Sequence, residues 1–244
     1  MPADVMPYGT LYLIPTPLGE GDLSWILPAG VQQRISLLGR FIVEHPKTAR
    51  HFLKQVNPLC VVQTLKLEVL DEHTPAAELE ALLAPLLAGE DIGLLSEAGC
   101  PAIADPGGML VRLAHRRQIR VVPFVGPSAI LLALMASGLN GQRFRFHGYL
   151  PVAPEVRNKK IIQLEKASIA ADETQIFIET PYRNRKLLEA LVQQCHVETD
   201  LCVACNLTQA DEVVLTQMIS EWRPGSNWPD LHKKPTVFLL HGRR

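Results

Sequence analysis

Glu97 and Asp105 lie in LLSEAGCPAIADPGG, Leu94 to Gly108, where a short apolar run enters a segment punctuated by Ser96, Gly99, Pro101, Pro106, Gly107 and Gly108. A strand-to-helix connection usually takes about 2 to 6 residues, and this one is longer and carries two acids. That composition suits a loop that holds a ligand. A plain turn, with Asp105 as N-cap and Pro106 in the first helical position, accounts for the same residues. Four more polar or glycine-rich groups fall where strands would end: Pro15 to Gly21, Glu44 to Arg50, Gly126 to Ala129, and Glu179 to Asn184. Ligands of open α/β sheets gather outside the carboxyl ends of strands, so the five groups together suggest one cleft. At Gly126 to Ala129 small residues let a ligand approach the free N–H groups of a helix start, whose dipole favours a carboxylate or phosphate. Ser128 as a simple helix cap is the alternative there.

Other chemistries lack their residues. No GxxxxGK[ST] phosphate loop, GxSxG nucleophile turn or HExxH metal pair occurs, which removes support for a kinase, a serine hydrolase or a zinc peptidase. Gly19 and Gly21 begin a dinucleotide fingerprint, but Ser24 stands where its third glycine belongs. Cys202 and Cys205 form CxxC inside LCVACNL, a strand-like run in which positions three apart face opposite ways. Five scattered cysteines read as reduced and structural, and no metal site is expected.

The elements that must position these groups alternate. Strands are predicted at residues 11–16, 40–44, 92–95, 119–124, 176–180, 201–206 and 235–241. Helices are predicted at 48–56, 73–89, 107–117, 128–138, 154–170 and 185–194. Thr74 caps the second of these helices, Pro75 opens it and Pro85 kinks or divides it. The helix at 128–138, all small and aliphatic, is predicted to be buried on most sides. Two prolines and three glycines in TPLGEGDLSWILPAG predict no regular element, and residues 222–228 read as irregular. From Arg143 the character changes, as RFRFHGYLP alternates basic and aromatic residues and a charged helix follows. Strand, helix, strand in repetition gives an α/β protein with a mostly parallel sheet.

With 47% hydrophobic and 20% charged residues, the 244-residue chain has the composition of a soluble protein with substantial cores. A net charge of -1 provides no chain-wide surface for polyanions, so any nucleic-acid contact needs a local patch. No apolar run reaches the roughly 18 to 20 residues that span a bilayer, and the start lacks the basic end and unbroken apolar segment of a secretion signal. No membrane association and a cytoplasmic location are therefore expected.

Five ordered segments carry a resemblance: LYLIPTPLG at 11–19, LLSEAGCPAIADPGG at 94–108, VVPFVGPSAILLALMASGL at 121–139, FHGYLP at 146–151 and IETPYRN at 178–184. They resemble the tetrapyrrole-methylase-like, class III, S-adenosylmethionine-dependent methyltransferases, and within them the branch that methylates a cytidine ribose 2'-oxygen of small-subunit ribosomal RNA. The resemblance implies two tandem α/β domains, 1–122 and 123–244, the first sheet mostly parallel and the second mixed. It also implies S-adenosylmethionine in the cleft between them, and a homodimer. By position, Pro15, Glu97, Gly99, Cys100, Ser128, Ala129, Ile178 and Glu179 match cofactor contacts. Thr16, Gly19, Arg50, Tyr182 and Arg183 match the substrate side. Departures cluster there too: TPLGEGDL replaces the usual TPIGNL, VEHPKTAR replaces an AEDTR-containing loop, and Tyr182 holds a position normally given to histidine. The chain also stops at Arg244, short of a small C-terminal extension that many ribosomal relatives carry.

Transfer from a sulfonium asks mainly for alignment of donor sulfur, methyl and acceptor. An oxygen acceptor adds the need for a base, for which Glu44, Glu179 and His147 are candidates. Arg143, Arg145, Arg157, Lys159, Lys160, Arg183 and Arg185 could reach phosphates, and Phe144, Phe146 and Tyr149 could stack on bases; a solvated helix face with ordinary strand aromatics explains them equally. The expected activity is methyl transfer to RNA. A small acceptor such as a tetrapyrrole, or a non-catalytic cofactor-binding or RNA-associated protein, stands as the alternative.

Overall fold

The computed structural model describes residues 8–222 and 228–243, so the first seven residues and the middle of the predicted irregular segment, 223–227, lie outside it. The chain forms two compact units, Met1–Ser128 and Ala129–Arg244.

The first unit runs β1 (Thr10–Ile14), α1 (Leu23–Ile26), α2 (Ala29–Ser36), β2 (Arg40–Val43), α3 (Pro46–Val56), β3 (Lys66–Val69), α4 (Leu79–Leu87), β4 (Ile92–Leu95), α5 (Gly108–Arg116) and β5 (Arg120–Pro123). Its strands are all parallel, in the order β3-β2-β4-β1-β5. Alternation along the strands supplies both faces. Leu11, Ile42, Ile92 and Leu94 pack with Leu79, Leu83, Leu86 and Leu110 of α4 and α5. Tyr12, Ile14, Phe41, Val43 and Leu95 pack with Leu23, Ile35, Phe52 and Leu53 of α1 to α3. Burial on both faces is why these strands read as short unbroken apolar runs.

Three local expectations are corrected. TPLGEGDLSWILPAG does contain regular structure: Asp22 accepts from the Ser24 N–H at 2.8 Å and starts α1, and Pro28 stands at the N-cap of α2. Thr74 does not cap a helix; its hydroxyl donates to Asp71 at 3.0 Å, and a 3-10 turn, Ala76–Glu78, precedes α4, which accommodates Pro85 in its last turn. The third concerns α5, whose N-cap is Gly107 at φ 124°, a backbone conformation that suits glycine. Asp105 is thereby released from the capping role the sequence suggested.

The second unit runs α6 (Ala129–Ser137), β6 (Phe144–Tyr149), α7 (Pro154–Ala171), β7 (Thr174–Glu179), α8 (Asn184–Gln194), β8 (Asp200–Cys205), β9 (Val213–Met218) and β10 (Thr236–His241). The sheet order is β6-β7-β10-β8-β9, with β6 and β7 parallel and the other pairs antiparallel, so this sheet is mixed. Phe177, Val203, Phe238 and Leu240 pack with Ile161, Leu187, Leu191 and Trp222. Edge strand β9 was not anticipated, because Thr216 and Gln217 break its apolar pattern and none of its residues is fully buried. Helix α6 is less enclosed than its composition suggested: Leu131 and Met135, one turn apart, are 55% and 80% exposed. Cys202 and Cys205 are both buried and free, and burial pushes the Cys202 thiol up to about 11. Among the described residues no helix is long and apolar enough to cross a membrane.

Candidate active site

Four of the five sequence groups meet at the carboxyl edge of the first sheet. The loops after β1 and β4 are stitched by reciprocal backbone bonds, Thr16 N–H to Gly99 O at 2.9 Å and Gly99 N–H to Thr16 O at 3.0 Å. Gly99 holds φ +77°, and a Cβ there would come within 3.3 Å of Leu18. The Thr16 hydroxyl donates to Ser96 O at 3.2 Å, and the Cys100 thiol to Pro127 O at 3.3 Å. Gly126 lies so close over Pro15 that a Cβ would stand 2.5 Å from the proline ring. Glycine is thus needed where one loop of the site backs onto another.

Beside these loops is an open cavity of about 550 Å³, walled by Thr16 to Glu20, by Lys47, Thr48, His51 and Phe52 of α3, and by Ser96 and Glu97. That volume lies in the range of small-molecule sites. Glu97 sits on its rim. Its Oε1 accepts from the Thr48 hydroxyl at 2.5 Å and lies 3.6 Å from His45 Nδ1.

The acids behind the rim are not comfortable. Burial first, and then the Glu97 charge, pushes the Glu44 carboxyl above its ordinary range, while His45 opposes the shift. Glu44 Oε2 is buried with no hydrogen-bond partner among the described residues. Asp105 is pushed up to about 6, by burial foremost and next by the charges of Glu44 and Glu97, against a lowering from the Ser96 hydroxyl. Glu44 and Asp105, crowded beside the Glu97 charge, can do two things: attract a cationic ligand, or hold a proton more tightly than an ordinary carboxylate.

The strand ends of the second unit differ. Glu179 is buried at the end of β7, where its Oε1 accepts from Thr180 N–H at 2.6 Å and from Arg183 Nε and Nη2 at 3.0 and 2.6 Å. Ile178 precedes it, half-buried, and Tyr182 is exposed. His147 on β6 meets Gln175 Oε1 through Nε2 at 2.6 Å. Burial foremost, with Lys160 and Arg145 nearby, holds its imidazole below the ordinary range, against the Gln175 hydrogen bond. Much of the predicted basic set is engaged within the fold. Arg143 donates to Ala171 O, Arg145 faces Glu173, Arg183 binds Glu179, and Arg185 pairs with Glu189 and stacks 4.3 Å over Trp228.

The structure thus gathers Pro15, Thr16, Gly19, Glu44, Glu97, Gly99 and Cys100 in one region of the first unit, with Arg50 exposed on α3. Ser128 closes that unit and Ala129 opens α6. Asp105, Lys47 and His51 were missed as site residues. Asp105 had passed for a cap, and only the helical phase of α3 marks the other two.

No protein-family model matches the chain. It is 31% identical over 236 residues to the ribosomal RNA small subunit methyltransferase I of Vibrio cholerae, covering 96% of this chain and 77% of that protein. To the protein of the same name from Xylella fastidiosa it is 33% identical over 219 residues, 85% of this chain and 71% of the other. Among solved structures, the methyltransferase CobJ aligns with a TM-score of 0.61 at 16% identity, covering 98% of this chain and 97% of that one. A uroporphyrin-III-C-methyltransferase from Thermus thermophilus aligns with a TM-score of 0.53 at 18% identity over 96% and 92% of the two chains. These two likenesses establish the fold.

Proposed function

Since the chain belongs to the ribosomal RNA small subunit methyltransferase I family, we propose that it moves the methyl group of S-adenosylmethionine to a ribose 2'-hydroxyl of small-subunit ribosomal RNA. One observation carries this reading: identity above 30% that extends along nearly the whole chain. The solved neighbours are too distant in sequence to argue for a small-molecule acceptor. A homodimer belongs to the same proposal.

The residues of the first unit fit the cofactor. S-adenosylmethionine brings a methyl group already activated by the sulfonium charge. An edge crowded by Glu44, Glu97 and Asp105 suits a cation, and Glu44 Oε2 is buried without a hydrogen-bond partner among the described residues. Pro15, Glu97, Gly99 and Cys100 are the proposed contacts here. Ser128 and, in the second unit, Ala129 and Ile178 complete the proposed set.

Glu44 is the proposed base. Its raised pKa brings its affinity for a proton nearer to neutrality, where a general base works best. Bound S-adenosylmethionine would supply the methyl group, and Glu44 would take the proton that the acceptor hydroxyl gives up as it is methylated. Glu179 already accepts three donors on one oxygen, so it is assigned to positioning Arg183. The neutral form of His147 is favoured by burial, which leaves it as the second base candidate.

The test is transfer of labelled methyl groups to small-subunit ribosomal RNA from a strain lacking its own enzyme, with fully modified RNA as control. Incorporation into the first RNA alone is expected. Equal incorporation into both, or none into either, overturns the acceptor. Calorimetry with S-adenosylmethionine tests the donor separately, and no heat at millimolar ligand overturns it.

A further inference from the structure

Helix α3, PKTARHFLKQV, has no acidic residue and four basic ones. At about 100° per residue, Arg50, Lys54, Lys47 and His51 fall in sequence around one arc of roughly 100°. Ala49, Phe52, Leu53 and Val56 occupy the opposite arc, and the first three of these are buried against the sheet. The cationic arc is exposed, and Lys47 and His51 also line the cavity described above.

What sets this arc apart is that it joins a lack of counter-charge to a place on the cavity wall. Several cations elsewhere are paired: Arg40 with Glu68 and Glu90, Arg117 with Glu80, Lys234 with Asp211 and Asp230, Arg243 with Asp200. On α3, Lys54 donates to the carbonyls of Pro58 and Cys60 and is committed to closing the following turn. Lys47, Arg50 and His51 have no acidic partner within ion-pair distance among the described residues. Lys47 stands in the first turn, where the helix dipole disfavours a cation. A fold that needed α3 only for packing gains nothing from this choice. Such a local breach of the charge rule is expected where function demands it.

We propose that Lys47, Arg50 and His51 are the phosphate-binding track that guides a single-stranded segment of the RNA acceptor, its target nucleotide entering the adjoining cavity. The inference rests on the reading of the acceptor as RNA. The three residues span about 6 Å of helix axis, so they suit one or two phosphates rather than the face of a duplex. An open cavity of about 550 Å³ has room for one nucleotide unstacked from its neighbours. With a net charge of -1, the protein offers RNA little attraction except through such a patch.

The experiment measures binding of unmodified, transcribed small-subunit ribosomal RNA across a salt series. Three proteins are compared: wild type, Lys47→Gln with Arg50→Gln, and a control, Arg112→Gln with Arg116→Gln. The control removes the same charge from exposed positions of α5, which ends where β5 begins and so lies toward the amino edge of this parallel sheet. Each single-strand phosphate contact contributes about 0.7 to the slope of log K against log salt. The α3 variant is therefore expected to flatten the slope by about 1.4, to bind at least tenfold more weakly, and to raise KM for the RNA. The control should keep the wild-type slope, and Lys47→Arg with Arg50→Lys should restore it. Unchanged melting temperatures show that the variants are folded. An α3 variant that binds as wild type does, or a control that loses as much, overturns the track. Methyl transfer by the wild type with an indifferent α3 variant overturns the track alone. Binding that depends on α3 without any methyl transfer supports the track and overturns the activity.

Discussion

The two units treat buried acids in opposite ways. In the second, Glu179 answers Thr180 and Arg183, and Glu165 accepts from the His196 N–H at 2.7 Å and the Thr199 hydroxyl at 2.6 Å. In the first, Glu44 and Asp105 are only partly buried, yet both carboxyls are pushed upward. An orphaned oxygen does not separate the units, since Glu44 Oε2 and Glu179 Oε2 both lack a hydrogen-bond partner among the described residues. Burial alone therefore does not mark a site. A carboxyl supplied with donors stabilises a fold, whereas carboxyls crowded against one another hold charge that only a ligand or a proton relieves.

The sharpest way to break this contrast is Glu44→Gln. If Glu44 takes the acceptor proton, the rate constant for methyl transfer falls by about 10² to 10⁴, the usual contribution of a general base, with cofactor affinity nearly unchanged. Single-turnover transfer of labelled methyl groups reads it, and a rate within threefold of wild type removes Glu44 as the base. Next in size is Glu179→Ala. It leaves the Arg183 guanidinium and the Thr180 N–H without their partner, and should cost about 2 to 3 kcal/mol, reduced from a fully buried pair because Arg183 can rehydrate. The urea midpoint measures it. A large loss of transfer with undiminished stability would instead make Glu179 part of the chemistry.

Asp105→Asn tests the crowded side by pH. The folded-state pKa, about 6, lies above the ordinary 3.8, so the fold binds this proton more tightly than the unfolded chain does. The associated stability is fully present below about pH 3.8 and is lost as pH rises through 6. At pH 7.5 the ionised carboxylate is a liability, and asparagine should stabilise the protein by about 1 to 2 kcal/mol, a figure discounted for partial exposure. At pH 4 the gain should vanish. Thermal melts at both values decide it, and a gain independent of pH would mean that crowding is not the cause.

Reading the residues in order recovered four of the five strands of the first sheet and the long α7, because burial on both faces and helical periodicity leave plain traces. Edge strand β3, KLEV, was missed because none of its residues is fully buried. Edge strand β9 left no such trace, since half-exposed strands tolerate Thr216 and Gln217. The acid Asp105 was visible but misassigned. An Asp before a Pro has the pattern of a cap, and only three-dimensional proximity to Glu44 and Glu97, distant in the chain, reveals its electrostatic state. Lys47 and His51 show the reverse case. Their phase on α3 was legible, but that α3 borders a cavity formed with the loops after β1 and β4 was not.

The smallest expected effect concerns Thr48, a neutral side chain that supports a member of the crowded group through its 2.5 Å bond to Glu97. Thr48→Val deletes that donor on an exposed surface and should cost the fold at most about 1 kcal/mol. Its interest lies in Glu97. If Glu97 contacts the cofactor and Thr48 aims it, Glu97→Ala alone weakens cofactor binding and Thr48→Val alone weakens it a few-fold. Adding Thr48→Val to the Glu97→Ala protein should then change nothing, a coupling that a double-mutant cycle by calorimetry resolves. If Glu97 only closes the turn, both single variants keep wild-type affinity and differ in melting temperature alone. Glu97 would then belong, like Glu179, with the acids that serve the fold.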